Sequence, residues 1–265
     1  MGDTLTKHEH LGAGASGVVF RATWRSSEHG KLVVAAKKIY LNGTSPEKLQ
    51  HEVDCLKRLD HPNIVKYYGA IYKPSKVIIL TEYAHKGSLH DFLQDKSSLA
   101  PHLVGTWIRH LALGIQYIQR NGLVHRDIKS PNCLITQDDV LKICDFGIAK
   151  PLTRTKSTKS TKGSVRWLAP EIIHDQILSL KADIYAFGIV VWELQMCSLP
   201  YEGMIPEHIM FSVCSKNRRP EIPLHCPEPI RELMVKCWDA DKDVRPDIDT
   251  VVKHIRDQGE ELGMN

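Results

Sequence analysis

The chain has 265 residues, 42% apolar and 25% charged, the balance of an ordinary globular protein with room for one large domain or two lobes. Its net charge of +4 is small, and Lys150, Arg154, Lys156, Lys159 and Lys162 form one basic cluster that leaves the rest of the chain close to neutral, so no broad nucleic-acid-binding face is expected. No apolar run nears the ~20 residues that span a bilayer, no secretory signal opens the chain, and the seven cysteines lack CxxC spacing, so the expectation is a cytoplasmic protein with reduced thiols and no stable membrane insertion.

Residues 8–40 are predicted as strands. LGAGASGVVFRATW sets a glycine-rich turn between apolar flanks, and KLVVAAKKIY is a β-branched run with Gly30 ahead of it as a turn signal. Ser45-Pro46-Glu47 then opens a helix, with Ser45 as N-cap and Pro46 at the first helical position. Leu49, Val53, Leu56 and Leu59 form one apolar stripe along it, and His61-Pro62 ends it. IVKYYGAIY and KVIILTEYA are two more predicted strands. From residue 87 the pattern turns helical. Leu103, Trp107, Leu111, Ile115 and Ile118 line one face of a helix over 102–120, and residues 181–196 form an apolar helix. Residues 206–215, 228–238 and 247–258 are predicted helical too. The expectation is an α+β fold in two lobes. A small β-rich lobe with one main helix covers residues 1–84, and a larger helical lobe covers 85–265.

The glycine turn, Gly12-Ala13-Gly14-Ala15-Ser16-Gly17, runs into Val19 and a strand, where a dinucleotide fold would place a helix. Between strands, such glycines let backbone N–H groups close over phosphates with no Cβ in the way. Taken alone, the motif also fits an ordinary glycine-rich hairpin. Twenty residues after Gly17 comes Lys37 in VAAK, a charge inside a β-branched strand that needs a partner. Glu52 supplies one, because Leu49, Val53 and Leu56 turn its edge of the helix inward. A lysine so held would suit the α and β phosphates of a nucleotide, and a surface Lys–Glu pair fits the spacing equally well.

The densest chemistry is His125-Arg126-Asp127-Ile128-Lys129-Ser130-Pro131-Asn132, with Asp145-Phe146-Gly147 following after 12 residues. Asp127 is suited to orient and deprotonate a hydroxyl, and Lys129 to neutralise a moving phosphoryl group. Asn132 and Asp145 offer oxygen ligands for Mg2+.

These motifs continue with Ala169-Pro170-Glu171, Asp183-Ile184-Tyr185-Ala186-Phe187-Gly188, and Cys237-Trp238 followed by Arg245-Pro246. In this order they resemble the eukaryotic protein kinase catalytic domain, from Gly12 to about Arg256. The resemblance implies the bilobal kinase fold, ATP and Mg2+ as cofactors, and a protein as the second substrate. It implies an adenine site with Val19 and Ala35 above and Leu134 below. Thr81 matches the gatekeeper, Glu82 to Ala84 the hinge that offers backbone hydrogen bonds, and Asp91 a group that reaches the ribose. Asp183 is implied to brace the HRD backbone, Arg245 to pair with Glu171, and Ser164 to bond Asp127 and Lys129.

Lys129 and Ser164 resemble serine/threonine kinases, whereas GSVRWLAPE, YAFGIVVWEL and CWDADKDVRP have a tyrosine-kinase flavour. That mixture is similar to the tyrosine-kinase-like group, most of all to MAP kinase kinase kinases of the mixed-lineage and TGF-β-activated-kinase types. A serine/threonine kinase is implied, with a dual-specificity enzyme and a pseudokinase scaffold as alternatives. The intact Lys37, Asp127 and Asp145 speak against the scaffold. Residues 153–164, TRTKSTKSTKGS, fall inside the activation segment, 145–171, and carry hydroxyls and positive charges with no apolar side chain. Phosphorylation at one or more of Thr155, Ser157, Thr158, Ser160 and Thr161 is expected, by an upstream kinase or by a second copy in trans. The phosphate would pair with Arg126 and the loop's own lysines. Cys144, directly before Asp145, is either reachable from the nucleotide site or buried and inert. The hairpin insert WRSSEHGK, residues 24–31, has no assigned role.

Overall fold

The computed structural model describes residues 4–14, 17–41, 46–147, 149–151, 162–174, 179–224 and 226–259. Strands β1 (Thr4–Gly14), β2 (Gly17–Ser26), β3 (Gly30–Tyr40), β4 (Tyr67–Lys73) and β5 (Lys76–Glu82) form an antiparallel sheet in the order β1-β2-β3-β5-β4. β1 begins at Thr4, ahead of the expected residue 8. It is an edge strand paired only with β2 and its side chains are mostly exposed, so it needs no apolar alternation to announce it. In the insert 24–31 the His29 ring packs against Trp24 and Tyr68, which ties the hairpin to β4.

The period of two divides this sheet into faces. Ala22, Trp24, Val34, Ala36, Ile78 and Leu80 bury one face in a small core of their own. Register places Val19 opposite Lys37, Lys37 opposite Ile79, and Ala35 opposite Thr81, so these five residues share the other face. Helix α1 (Pro46–Arg58) packs there. Its predicted stripe is buried together with Ile39, Val77 and Ile79. The expected N-cap, Ser45, lies outside the described residues.

The helical part is built on α3 (Pro101–Arg120) and α5 (Leu180–Met196). Trp107, Leu111, Ile115 and Ile118 of α3 are fully buried and Leu103 packs beside them, as the spacing predicts. Helix α5 is buried on every side from Ala182 to Leu194, which explains its near-unbroken apolar run. Helices α6 (Pro206–Ser215), α7 (Glu228–Cys237) and α8 (Ile248–Asp257) stand where the sequence puts them. Helices α2 (Leu89–Gln94) and α4 (Pro170–His174) are too short to show a period. So are the two-stranded ladders of β6 (Leu123–Val124) with β9 (Lys150–Pro151) and β7 (Cys133–Ile135) with β8 (Leu141–Ile143).

The main apolar cluster runs from Ile39 to Ile255, so sheet, α1 and helices share one core. Two backbone ladders join them. The Asn63 carbonyl accepts from Ile143 N–H at 2.9 Å, and Val65 N–H returns a bond to the Ile143 carbonyl at 2.9 Å. On the other side of the same hairpin, Ile135 N–H donates to the Gly87 carbonyl at 2.9 Å and Lys86 N–H to the Ile135 carbonyl at 3.1 Å.

Candidate active site

Glycine 17 closes the β1–β2 turn with φ +136°, a conformation L side chains rarely adopt. A Cβ at this position would stand 2.5 Å from the Lys38 carbonyl oxygen. The turn thus lies directly on the backbone beside Lys37. Gly12 pairs with Val19 and Gly14 with Gly17, while Ala15 and Ser16 at the tip lie outside the described residues.

Lys37 lies on the inner sheet face, and its Nζ donates to Glu52 Oε1 at 2.7 Å and to Asp145 Oδ1 at 2.9 Å. Burial works against this ammonium, but the Asp145 and Glu52 carboxylates more than offset it and hold its pKa above the ordinary value. Burial likewise opposes the Asp145 carboxylate, and Lys37 again outweighs it, so Asp145 titrates below its usual 3.8. Lys37 and Asp145 are separated by 108 residues, and Glu52 comes from α1, so the cluster forms only when sheet, helix and loop are assembled. Gly147 makes the approach possible, since a Cβ there would stand 3.2 Å from Glu52 Oε2 and 3.3 Å from Asp145 Oδ1.

The HRDIKSPN loop is held from below by Asp183. This carboxylate, 1% exposed, accepts from the backbone N–H groups of His125 and Arg126, each at 2.8 Å. Burial pushes its pKa up, and His125 with the two backbone N–H groups partly offsets that. Those bonds hold Arg126 at φ +73°, an uncommon conformation for a residue with a Cβ. His125 is fully buried. Its Nδ1 faces Asp127 N–H at 3.3 Å, so its Nε2 carries the proton and donates to the Cys144 carbonyl at 3.0 Å. The same ring stands edge-on to Phe146 at 4.9 Å, which anchors the DFG segment to the HRD segment.

Above this base lies a closed triangle. Lys129 Nζ donates to Asp127 Oδ2 at 2.7 Å and to Ser164 Oγ at 2.8 Å, and Ser164 Oγ donates to Asp127 Oδ1 at 2.7 Å. Asn132 Nδ2 donates to the Asp127 carbonyl at 2.8 Å and to Asp127 Oδ2 at 2.9 Å. With its nitrogen so spent, Asn132 keeps its amide oxygen for another partner. The Asn132 carbonyl accepts from Cys144 N–H at 2.9 Å, which sets Asn132 beside Asp145. One amide oxygen and one ionised carboxylate form a hard, oxygen-only donor pair, suited to a divalent cation of the Mg2+ type.

Val19, Ala35 and Thr81 share the inner sheet face with Lys37, and Leu134 of β7 is bridged to Ser88. Glu82 N–H is spent on the Lys66 carbonyl at 2.8 Å, and its carboxylate pairs with Lys142 at 2.9 Å. Ala84 N–H has no backbone acceptor among the described residues. Asp91 is engaged locally, its Oδ2 accepting from Ser88 Oγ at 2.7 Å in the first turn of α2. The Cys144 thiol is pushed well up by burial and by Asp145, the chemistry of an inert thiol. Of residues 153–164, the described ones are 162–164, and all five expected phosphorylation positions lie outside them. The expected tie is present, with Arg245 Nη1 and Nη2 bonding Glu171 Oε1 and Oε2 at 2.8 Å each.

One residue escaped the sequence reading. Glu193 is a fully buried acid of α5 bonded to Ser130 and Trp167. Its signal is a carboxylate that follows the apolar run Ile189 to Trp192 within α5.

The family model for protein tyrosine and serine/threonine kinases matches residues 5–255. The chain belongs to this family. Within it, the kinase chain is 37% identical over 208 residues to Serine/threonine/tyrosine-protein kinase HT1 of Arabidopsis thaliana, covering 78% of this chain and 53% of that protein. It is 32% identical over 253 residues to Mitogen-activated protein kinase kinase kinase 13 of Homo sapiens, covering 96% of this chain and 25% of that protein. It is 34% identical over 245 residues to Mitogen-activated protein kinase kinase kinase 12 of Rattus norvegicus, covering 92% of this chain and 26% of that protein. The kinase chain therefore spans from a quarter to about half of these relatives. Among its described residues no helix is long and apolar enough to cross a membrane.

Proposed function

We propose that this chain is a serine/threonine protein kinase domain that transfers the ATP γ-phosphoryl group to a protein hydroxyl. The observation that carries the reading is the triangle of Asp127, Lys129 and Ser164, built around one carboxylate with Asn132 fixing its second oxygen. Asp127 orients the acceptor hydroxyl and takes its proton as the oxygen attacks the γ-phosphorus. The bond from that phosphorus to the bridging oxygen breaks, and ADP leaves with the electron pair. Lys129 offsets charge on the moving group. Lys37, held by Glu52, is charged and aimed to meet the α and β phosphates. Asn132 and Asp145 are the residues that would hold Mg2+, which supplies charge neutralisation at the phosphates when bound.

The adenine would lie between Val19 and Ala35 on the sheet and Leu134 on β7, against the backbone of Glu82 to Ala84 and in front of Thr81. Gly12, Gly14 and Gly17 would cover the phosphates. The lobes then correspond to residues 1–84 and 85–265. Relatives named mitogen-activated protein kinase kinase kinase support a role for the chain in a mitogen-activated protein kinase cascade, and a cytoplasmic location goes with this reading. Residues 153–164 are the regulatory loop in this reading, phosphorylated by an upstream kinase or in trans by a second copy.

The test is phosphosite mass spectrometry after incubation with Mg-ATP and a generic basic protein. The expected result is phosphate on Ser and Thr of the substrate and within residues 153–164. Asp127→Asn should lower transfer by roughly 10²–10⁴-fold. Phosphate mainly on Tyr would move the assignment to dual specificity. No transfer from protein already phosphorylated on the loop would sink the kinase reading in favour of a scaffold.

A further inference from the structure

Glu193 is 1% exposed in α5, flanked by Val191, Trp192 and Leu194, all buried. Its Oε1 lies 2.5 Å from Ser130 Oγ, and its Oε2 accepts from Trp167 Nε1–H at 2.7 Å. Ser130 stands three residues after Asp127, and Trp167 three residues after Ser164. Asp127 and Ser164 are themselves bonded at 2.7 Å. The catalytic loop and the end of the activation segment are thus bridged twice, at the reacting surface through Ser164 and in the core through Glu193.

We propose that Glu193 is a positioning residue that sets the register of residues 162–167 against the catalytic loop, and so places Ser164 and the acceptor hydroxyl over Asp127. The role needs a side chain with two polar atoms, one for each segment. A leucine would fill this helix position without the desolvation cost, but it would bond neither segment. Among the described residues no cation contacts Glu193, and Arg166 turns its guanidinium to the carbonyls of Pro200 and Tyr201. The groups that act on it are the Ser130 and Trp167 donors, Arg166 at a distance, and the Cys133 thiol on β7. Burial pushes its pKa up to about 8, against the pull of those two donors.

The carboxyl keeps both bridges in either state. Ionised, it accepts from Ser130 Oγ–H and Trp167 Nε1–H; protonated, its O–H donates to Ser130 Oγ while the other oxygen accepts from Trp167. Glutamine reproduces that pattern, with Nε2–H donating to Ser130 and Oε1 accepting from Trp167. It also removes the titration.

This inference rests on the kinase reading, so the experiment carries one readout that needs no activity. Wild type, E193Q, S130A, W167F and the S130A/W167F double variant are compared as the full chain. Transfer to a basic protein is followed at pH 7, and hydrogen exchange is followed over residues 162–174. S130A and W167F should each lower kcat for the protein substrate by about 10-fold, as a sub-ångström displacement of reacting groups does, with KM for ATP unchanged. The double variant should be no worse than the poorer single, because either change breaks the same bridge. E193Q, which still bonds both segments, should keep kcat closer to wild type than S130A or W167F does. Exchange over 162–167 should quicken in S130A and W167F but not in E193Q. Additive losses, or an E193Q variant as impaired as S130A and W167F, would overturn the proposal. Should no form transfer phosphate, the kinase reading falls, and unchanged exchange in S130A and W167F would then overturn the bridge independently.

Discussion

Replacing Glu171 with alanine isolates the energetics of the Arg245 tie. The Arg245 side chain is 0% exposed and that of Glu171 9%, and the two share a two-point contact at 2.8 Å. The guanidinium cannot shed its proton, so Glu171→Ala leaves a fixed charge in the core under the ring of Tyr185, 5.1 Å from its centroid. Its other acceptors are neutral, namely the carbonyls of Asp239 at 2.8 Å and Lys181 at 3.0 Å. Removing one partner of such a buried pair costs about 3–5 kcal/mol. At about 2 °C per kcal/mol for a chain of this length, Tm should fall by roughly 6–10 °C. Arg245→Met should cost a similar amount by stranding Glu171. The double variant Glu171→Ala/Arg245→Met removes both charges and should recover to within about 2 kcal/mol of wild type. Urea unfolding at constant m, run beside thermal melts, reads all four corners of the cycle. Losses under about 1 kcal/mol in the singles, or additivity in the double, would refute the argument.

Asp183→Asn replaces one of two acceptor oxygens with a donor that faces a backbone N–H, so it should cost about 1–3 kcal/mol and lower kcat by loosening Arg126 and Asp127. Denaturation and steady-state kinetics check both, and an unchanged kcat would show that Asp183 braces nothing at the site. Gly17→Ala meets the Lys38 carbonyl and a positive φ together, so nucleotide affinity should drop about 10-fold by fluorescent-nucleotide titration; unaltered affinity would mean the turn yields freely. Asp145 is held below 3.8 by Lys37, so its contribution to stability is present above the unfolded value of about 3.9 and is lost as pH falls below it. Lys37→Met removes that contribution and lets burial raise the Asp145 pKa instead, so thermal melts should lose less stability between pH 7 and pH 3 than wild type does. An identical pH dependence in the two proteins would contradict the pairing. Iodoacetamide at pH 7.5 should spare Cys144 while it modifies a free peptide thiol; rapid labelling at Cys144 blocked by ATP would reverse the inert assignment.

The elements legible in the sequence are those whose signal is local. The stripe of Leu49, Val53, Leu56 and Leu59 carried α1, and the Trp107 to Ile118 face carried α3, because a period of 3.6 is visible over a few turns. The loop residues of the site were legible because Asp127, Lys129 and Asn132 fall within six positions. The pairing of Lys37 with Glu52 was legible from the inward edge of α1. Glu193 was not, since its partners lie 63 and 26 residues away and nothing in the run YAFGIVVWEL says which face meets them. Asp91 shows the opposite limit, a polar residue at a plausible position whose oxygen accepts a bond from the neighbouring Ser88. Helix α4 and the strands of two or three residues lack the length to show any period.

The two backbone ladders that flank the β7–β8 hairpin have a mechanical consequence. Two fixed points define a line, and here the line runs along that hairpin, from Asn63–Val65 on one side to Lys86–Gly87 on the other. When a body rocks about a line, each atom travels in proportion to its distance from it. Asn132 precedes β7 by one residue and Asp145 follows β8 by two, so both stand almost on the axle. The glycine turn sits two strands beyond β5, at the end of the lever, and sweeps the longest arc. The roof of the cleft can therefore lift to admit or release a nucleotide while the oxygens at its floor hardly move.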